Sequence, residues 1–212
     1  MIITKTPLRM SYVGGGSDLP SYYRNFGGAV ISSSVNKFIY VIVKPRFEKG
    51  IRLSYSKTEN VRNRSEIEHP LVRNAMNLLE IDDDIEIVST ADIPSSGTGM
   101  GSSSSFSVGL IKALSAYKGI ALPDLKIAEM ACHLEIDLCK NPIGKQDQFA
   151  AAFGGLKVYQ FNTDDSVSIE SVICTQQTIK KLNNETIAFY IGGARNANNI
   201  LTQQSHDLNE KN

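Results

Sequence analysis

The order of extended and helical segments predicts an α+β domain. Apolar runs of strand character occupy 2–12, 38–43, 51–55 and 85–91, and alternating runs return over 156–161, 167–172 and 186–191. Helically spaced apolar residues fill 70–79, 103–118 and 123–140. At 212 residues, with 42% hydrophobic and 21% charged residues, the chain is long enough for one substantial core, or for one domain and part of another.

Composition narrows the function classes. Lys plus Arg and Asp plus Glu number 22 each, so no global field favours nucleic acid or an anionic membrane surface. Cys132, Cys139 and Cys174 lack C-x-x-C or metal-ligand spacing, which suits a reducing compartment and points to the cytoplasm. Residues 1–7 lack the features of a signal peptide, and no run of about 18 apolar residues occurs. The expected partners are small molecules, with no nucleic acid and no membrane; a homodimer is compatible with the sequence.

The first strand, Ile2 to Tyr12, contains Pro7 and Arg9 and runs into the turn Gly14, Gly15, Gly16, Ser17, Asp18. That turn is either a plain connection or a place where substrate approaches the backbone, with Asp18 accepting hydrogen bonds from sugar hydroxyls. Phe38 to Val43 reads as a strand buried on both faces, and Ile51 to Tyr55 as its half-exposed hairpin partner. Between them and beyond lie Lys44, Arg46, Lys49, Arg52, Lys57, Arg62 and Arg64, a solvated surface or a phosphate-capturing set.

After a short helix over 70–79 and a strand over 85–91 comes the segment 92–106, rich in Gly and Ser. Gly97, Gly99 and Gly101 free the backbone for a close approach to an anion, and the serines supply hydroxyls and the open N–H groups of a helix start. The P-loop NTPase pattern fails because Gly101, not Lys, precedes Ser102, and the dinucleotide fingerprint fails because Ser102 stands where a third Gly is needed. G-x-S-x-G is absent as well. A flexible linker is contradicted by the flanks, a strand before and a helix from Ser103 to Lys118 ended by Gly119.

The helix begun by Pro123 and Asp124 places Ala128, Ala131, Cys132, Leu138 and Cys139 on one apolar stripe, with Glu135 in its middle. A carboxylate facing a core must be paired or hold a metal, and spacing alone leaves both open. His133 falls on the wet face with Asp137. Next, Asp147 stands on a turn among Lys145, Gln146 and Gln148, either as the cap of a helix over 148–153 or as a catalytic carboxylate.

Taken in order, Arg9-x4-Gly-Gly-Gly-x-Asp18, Gly99-Met-Gly-Ser-Ser-Ser104 and Gly144-Lys-Gln-Asp-Gln148 resemble the motifs of GHMP-type small-molecule kinases. The runs 51–56, 67–73, 109–114, 143–149 and 152–155 are similar to the branch acting on D-glycero-D-manno-heptose 7-phosphate. The resemblance implies an N-terminal, ATP-binding domain of the ribosomal protein S5 domain 2-like fold over 1–184. Residues 185–212 would begin a ferredoxin-like C-terminal domain, so the chain is expected to be an N-terminal fragment.

The resemblance also implies roles. Gly97, Thr98, Gly99, Met100, Gly101, Ser102, Ser103 and Ser104 would cradle the phosphates of ATP, Ser103 and Glu135 would bind Mg2+, and Asp147 would activate the acceptor hydroxyl with Arg9 and Lys145 close by. Gly15, Gly16, Asp18 and Arg73 would hold the sugar phosphate. One departure stands out: Pro94 precedes Gly99 by five residues where the family has four, so loop contacts are open to displacement by one residue. The alternatives are a kinase for another sugar, galactokinase- or fucokinase-like, or for a mevalonate-like alcohol, and a non-catalytic sugar or nucleotide-binding module.

Overall fold

The computed structural model of the chain describes residues 1–82, 84–94 and 98–189. A seven-stranded sheet forms from β1 (Ile2–Val13), β2 (Gly28–Pro45), β3 (Ile51–Ser54), β4 (Thr58–Val61), β5 (Ile85–Ala91), β6 (Leu156–Phe161) and β7 (Val167–Ser171). Its order is β4-β3-β5-β2-β6-β7, with β1 paired along the other side of β2. The 18-residue β2 is the spine, since its first half pairs with β6 and its second half with β5.

The helices are α1 (Pro20–Phe26), α2 (Pro70–Leu78), α3 (Ser102–Tyr117), α4 (Asp124–Cys132), α5 (Gln146–Phe153) and α6 (Gln176–Glu185). α3 and α5 lie on β1 and β2, and α4 packs on α3 and α5. Alternate sheet residues Leu8, Val30, Val41, Val43, Ile51, Leu53, Ile85, Ile87, Tyr159 and Phe161 are buried beneath this layer. α3 approaches β1 closely at Gly109, whose carbonyl accepts the Thr4 hydroxyl at 2.9 Å. A Cβ there would fall 2.7 Å from Thr6 Oγ1. The contact sets the N-terminus of α3 beside Arg9.

Four expectations are corrected. β2 and β3 are not a hairpin: β5 lies between them, antiparallel to β2 and parallel to β3. The connection steps over the start of β5, where the backbone N–H groups of Arg46 and Gly50 donate to Asp84 O and Oδ1 at 2.8 and 2.6 Å. The true hairpin is β3 with β4. Second, β2 is not buried on both faces, because Phe38, Tyr40 and Ile42 are only half-buried while Ile39, Val41 and Val43 are buried.

The third correction concerns 123–140. Regular α-helix stops at Cys132, and His133–Leu138 form a π-helical turn in which the Cys139 N–H donates to the Leu134 carbonyl, five residues back. The wider winding carries Leu138 to the surface, 40% exposed, and leaves Leu134 and Glu135 buried. The strand expected over 186–191 is not formed in its described part, Thr186–Phe189, and α6 precedes it instead. Tyr190 and Ile191, like most of the proposed second domain, lie outside the described residues. All three cysteines are free. Among the described residues no helix is long and apolar enough to cross a membrane.

Candidate active site

The site is built where the N-termini of α3 and α5 face β1. Gly101 caps α3 in the left-handed region, at φ 71° and ψ 30°, a conformation that favours glycine. A Cβ on it would also meet Asp147 Oδ2 at 3.0 Å. The first helical bond runs from Ser105 N–H to the Gly101 carbonyl, which leaves the N–H groups of the first turn open. Ser102 is half-buried and Ser103 exposed. Thr98 Oγ1 is buried without a partner, and Met100 packs against the core. Gly97 lies outside the described residues.

Arg9 ties the loop to α5. Its Nε donates to Asp147 Oδ1 at 2.6 Å, its Nη1 to the Gly99 carbonyl at 2.8 Å, and its backbone N–H to the Met100 carbonyl at 3.2 Å. The Arg9 and Asp147 side chains are 14% and 22% exposed, so the pair is sheltered yet reachable. Asp147 sits in the first turn of α5 rather than on a free turn ahead of it.

Behind this pair Glu135 is fully buried. Ser104 Oγ and Ser107 Oγ donate to its two oxygens at 2.8 and 2.5 Å, and Gln148 Nε2 donates at 3.0 Å. Among the described residues no cation pairs with it. Burial pushes its carboxyl up to about 7, with Asp147 adding to the rise, against the Ser107, Ser104 and Gln148 bonds that favour the charged form. The salt-bridge alternative is therefore set aside. The hydroxyls on Glu135 are those of Ser104 and Ser107, while Ser103, named from the sequence, is exposed.

The remaining expected residues are dispersed. Gly15 and Gly16 form an exposed to half-exposed turn. Asp18 is 3% exposed and accepts from the Gln146 backbone and side chain. Burial pushes its carboxyl above the ordinary range, against the Gln146 N–H that favours the charge. Lys145 turns away from Asp147, donating to Asp165 O and Oδ1 at 2.9 and 3.4 Å. Arg73 donates from Nη1 to the Ile67 carbonyl at 2.7 Å, on a helix that packs on α3 and the π-helical turn. Of the basic set, Lys44, Arg46, Lys49, Arg52, Lys57 and Arg64 each meet a carboxylate. His133 is a surface residue bonded to Asp137 at 2.8 Å, as expected.

Sequence reasoning missed Ser107 and the partner of Gln148. Their signal was present in paired anomalies, since Ser104, Ser107 and Gln148 interrupt buried helical faces as Glu135 does. Among the described residues no three His, Cys, Asp or Glu side chains are grouped to hold a metal ion.

Residues 70–155 match the family described as "GHMP kinases N terminal domain". The chain is 25% identical to D-glycero-alpha-D-manno-heptose 7-phosphate kinase of Campylobacter jejuni, over 99% of this chain and 65% of that protein. Its fold is similar to a D-glycero-D-manno-heptose 1-phosphate kinase from Bacteriodes thetaiotaomicron, with TM-score 0.80 and 24% identity over 86% of this chain and 63% of that one. A putative sugar kinase from Campylobacter jejuni gives TM-score 0.72 and 23% identity over 98% and 68%. The chain thus spans about two thirds of the length of these relatives.

Proposed function

We propose that this domain serves an ATP-dependent sugar kinase acting on the anomeric hydroxyl of D-glycero-D-manno-heptose 7-phosphate, giving the 1,7-bisphosphate for nucleotide-activated heptose synthesis. The observation that carries the reading is the Arg9–Asp147 pair, 2.6 Å apart, set against Gly101 at the start of α3. Phosphoryl transfer asks for alignment and charge neutralisation more than covalent help. The open N–H groups of α3, with its macrodipole, favour the nucleotide's phosphates over residues 98–104. Asp147 accepts or orients the proton of the attacking hydroxyl, and Arg9 keeps that carboxylate aimed.

Glu135 is a buried carboxylate without a cation of its own among the described residues, held by three neutral donors. Mg2+ takes one or two carboxylates together with phosphate oxygens rather than an all-protein cage, and a Glu135 oxygen would exchange one of these neutral bonds for the metal. Glu135 and a nearby serine hydroxyl would hold it, and Mg2+ would supply neutralisation of charge on the transferring phosphoryl group. Gly15 and Gly16 would line the sugar, and Arg73 keeps Nε and Nη2 for a phosphate.

The names of the relatives put the pre-existing phosphate at opposite ends of the heptose, which makes the acceptor the point to test. The complete natural protein is given ATP, Mg2+ and, separately, heptose 7-phosphate, heptose 1-phosphate and unphosphorylated heptose. Turnover of the 7-phosphate well above the other two supports the proposal. Preference for the 1-phosphate replaces the acceptor, and nucleotide binding without turnover of any sugar replaces the kinase by a binding module.

A further inference from the structure

Asp18 has the surroundings of a helix cap. Its Oδ2 accepts the backbone N–H of Gln146 at 3.0 Å and its Oδ1 accepts from Gln146 Nε2 at 3.2 Å. Gln146 opens α5, and N–H groups in a first turn have no partner within their own helix. Lys145, the residue in the local cap position, makes no side-chain bond to that turn. A carboxylate from 128 residues away therefore does what a neighbouring Ser or Asp ordinarily does, at the helix end where the macrodipole favours negative charge.

The seat is close-fitting. A Cβ on Gly144 would lie 1.9 Å from Asp18 Oδ2 and 2.7 Å from the Asp18 carbonyl, so the turn closes on the carboxylate only with glycine there. Gln146 Oε1 accepts the Ser11 hydroxyl at 2.8 Å, which extends the chain of bonds to β1, two residues beyond Arg9. Asp147 follows Gln146 directly. Arg9 and Asp147, which meet at 2.6 Å, are thus each bracketed by the Ser11–Gln146–Asp18 chain. With 3% exposure and both oxygens engaged inside the protein, Asp18 has little left for a sugar hydroxyl.

We propose that Asp18 is a positioning residue, which caps α5 at Gln146 and thereby fixes Asp147 against Arg9, and that it is not a sugar ligand. The proposal rests on the role given to Asp147 above. Asp18→Ala, Asp18→Asn and Gln146→Ala are compared with wild type in two measurements. One is steady-state kinetics with ATP and heptose 7-phosphate; the other is amide hydrogen exchange at Gln146 and Asp147 in the free protein.

Asp18→Ala is expected to lower kcat about tenfold or more while the KM for the sugar phosphate stays within about threefold, the mark of an interaction that acts on the chemical step. Asp18→Asn, whose side-chain oxygen still accepts the Gln146 N–H, recovers most of that loss. The two amides exchange faster in Asp18→Ala. A KM raised about tenfold at unchanged kcat would make Asp18 a ligand and overturn the proposal, as would an Asn variant no better than Ala. Should Asp18→Ala fail to fold, Gln146→Ala and Asp18→Asn are judged on the same split between kcat and KM. If the wild type phosphorylates no heptose 7-phosphate, the kinase reading fails by itself, and unchanged protection of the Gln146 amide in Asp18→Asn and Asp18→Ala decides against the cap separately.

Discussion

Asp147 carries the chemistry proposed for this site, and its surroundings separate its role from that of the nucleotide contacts. Its carboxylate touches Arg9 and the Gly101 backbone, whereas the open N–H groups of α3 belong to another segment. Asp147→Asn, in the complete protein, is therefore expected to lower kcat by about a hundredfold or more, the lower end of general-base effects, with nucleotide affinity within a few-fold. Steady-state kinetics beside nucleotide calorimetry measure both, and near-normal kcat would remove Asp147 from the role. Glu135→Gln keeps shape and loses charge. Because Glu135 faces Ser104, Ser107 and Gln148 and, among the described residues, no cation, the substitution should abolish most of the Mg2+-dependent rise in melting temperature expected with nucleotide, while the metal-free melting temperature holds or increases. An undiminished Mg2+ response would show that the carboxylate serves the fold alone. Glu135 and Asp147 were legible in the sequence because a carboxylate on an apolar stripe and a crowded polar turn are local anomalies. Ser107 was not, because its meaning comes from a partner 28 residues away.

At the scale of elements, most helices and strands were legible because periodicity and breakers act locally. β5 and β6 fall on the residues read from alternation, and α3 ends beside Gly119, at φ 75°, as its spacing and breaker indicate. What failed was pairing and winding. Nothing within 38–55 reveals that β5 is inserted between β2 and β3, since the decision is made by Asp84 binding both ends of their connection. The π-helical turn likewise escaped a reading at 100° per residue, and it carries Leu138 out to the surface while Glu135 stays on the buried side where that reading put it. The seating of α3 on β1 makes a further prediction. Ala at position 109 would gain about 1 kcal/mol of helix propensity over Gly, but its methyl group would meet Thr6 Oγ1 at 2.7 Å and Thr4 Oγ1 at 3.3 Å. Overpacking of this kind costs about 1–3 kcal/mol, so Gly109→Ala should be net destabilised in denaturant melts, and the double change with Thr6→Ser should not restore it because the hydroxyl remains. Thr6→Ala should restore it in part. A Gly109→Ala variant more stable than wild type would show that α3 shifts freely on the sheet.

On the scale of the whole molecule, residues far apart in the chain converge on one turn. Asp165, between β6 and β7, accepts from the Tyr23 hydroxyl at 2.5 Å and Arg24 Nε at 3.0 Å on α1, and from Lys145 ahead of α5. This staple ties the start of α5, and with it Asp147, to α1 and the β6–β7 turn, which is why Lys145 matters although it does not reach Asp147. The Tyr23 hydroxyl first, then Arg24, holds the Asp165 carboxyl down to about 2. A carboxylate whose acidity is strengthened by folding contributes stability that is present above its ordinary titration near pH 4 and is lost as pH falls through about 2. Asp165 is 45% exposed, so solvent screening limits the contribution to under about 1 kcal/mol. Asp165→Asn should accordingly melt up to about 4 °C below wild type at pH 7, the shift that 1 kcal/mol gives in a chain of this size. The difference should shrink steadily between pH 4 and pH 2, where the wild-type carboxylate also becomes neutral. Thermal melts of both proteins across that range measure it. A difference that stays constant down to pH 2 would mean that the Asn variant fails through packing at the turn, and that the charges around Asp165 do not hold α5 in place.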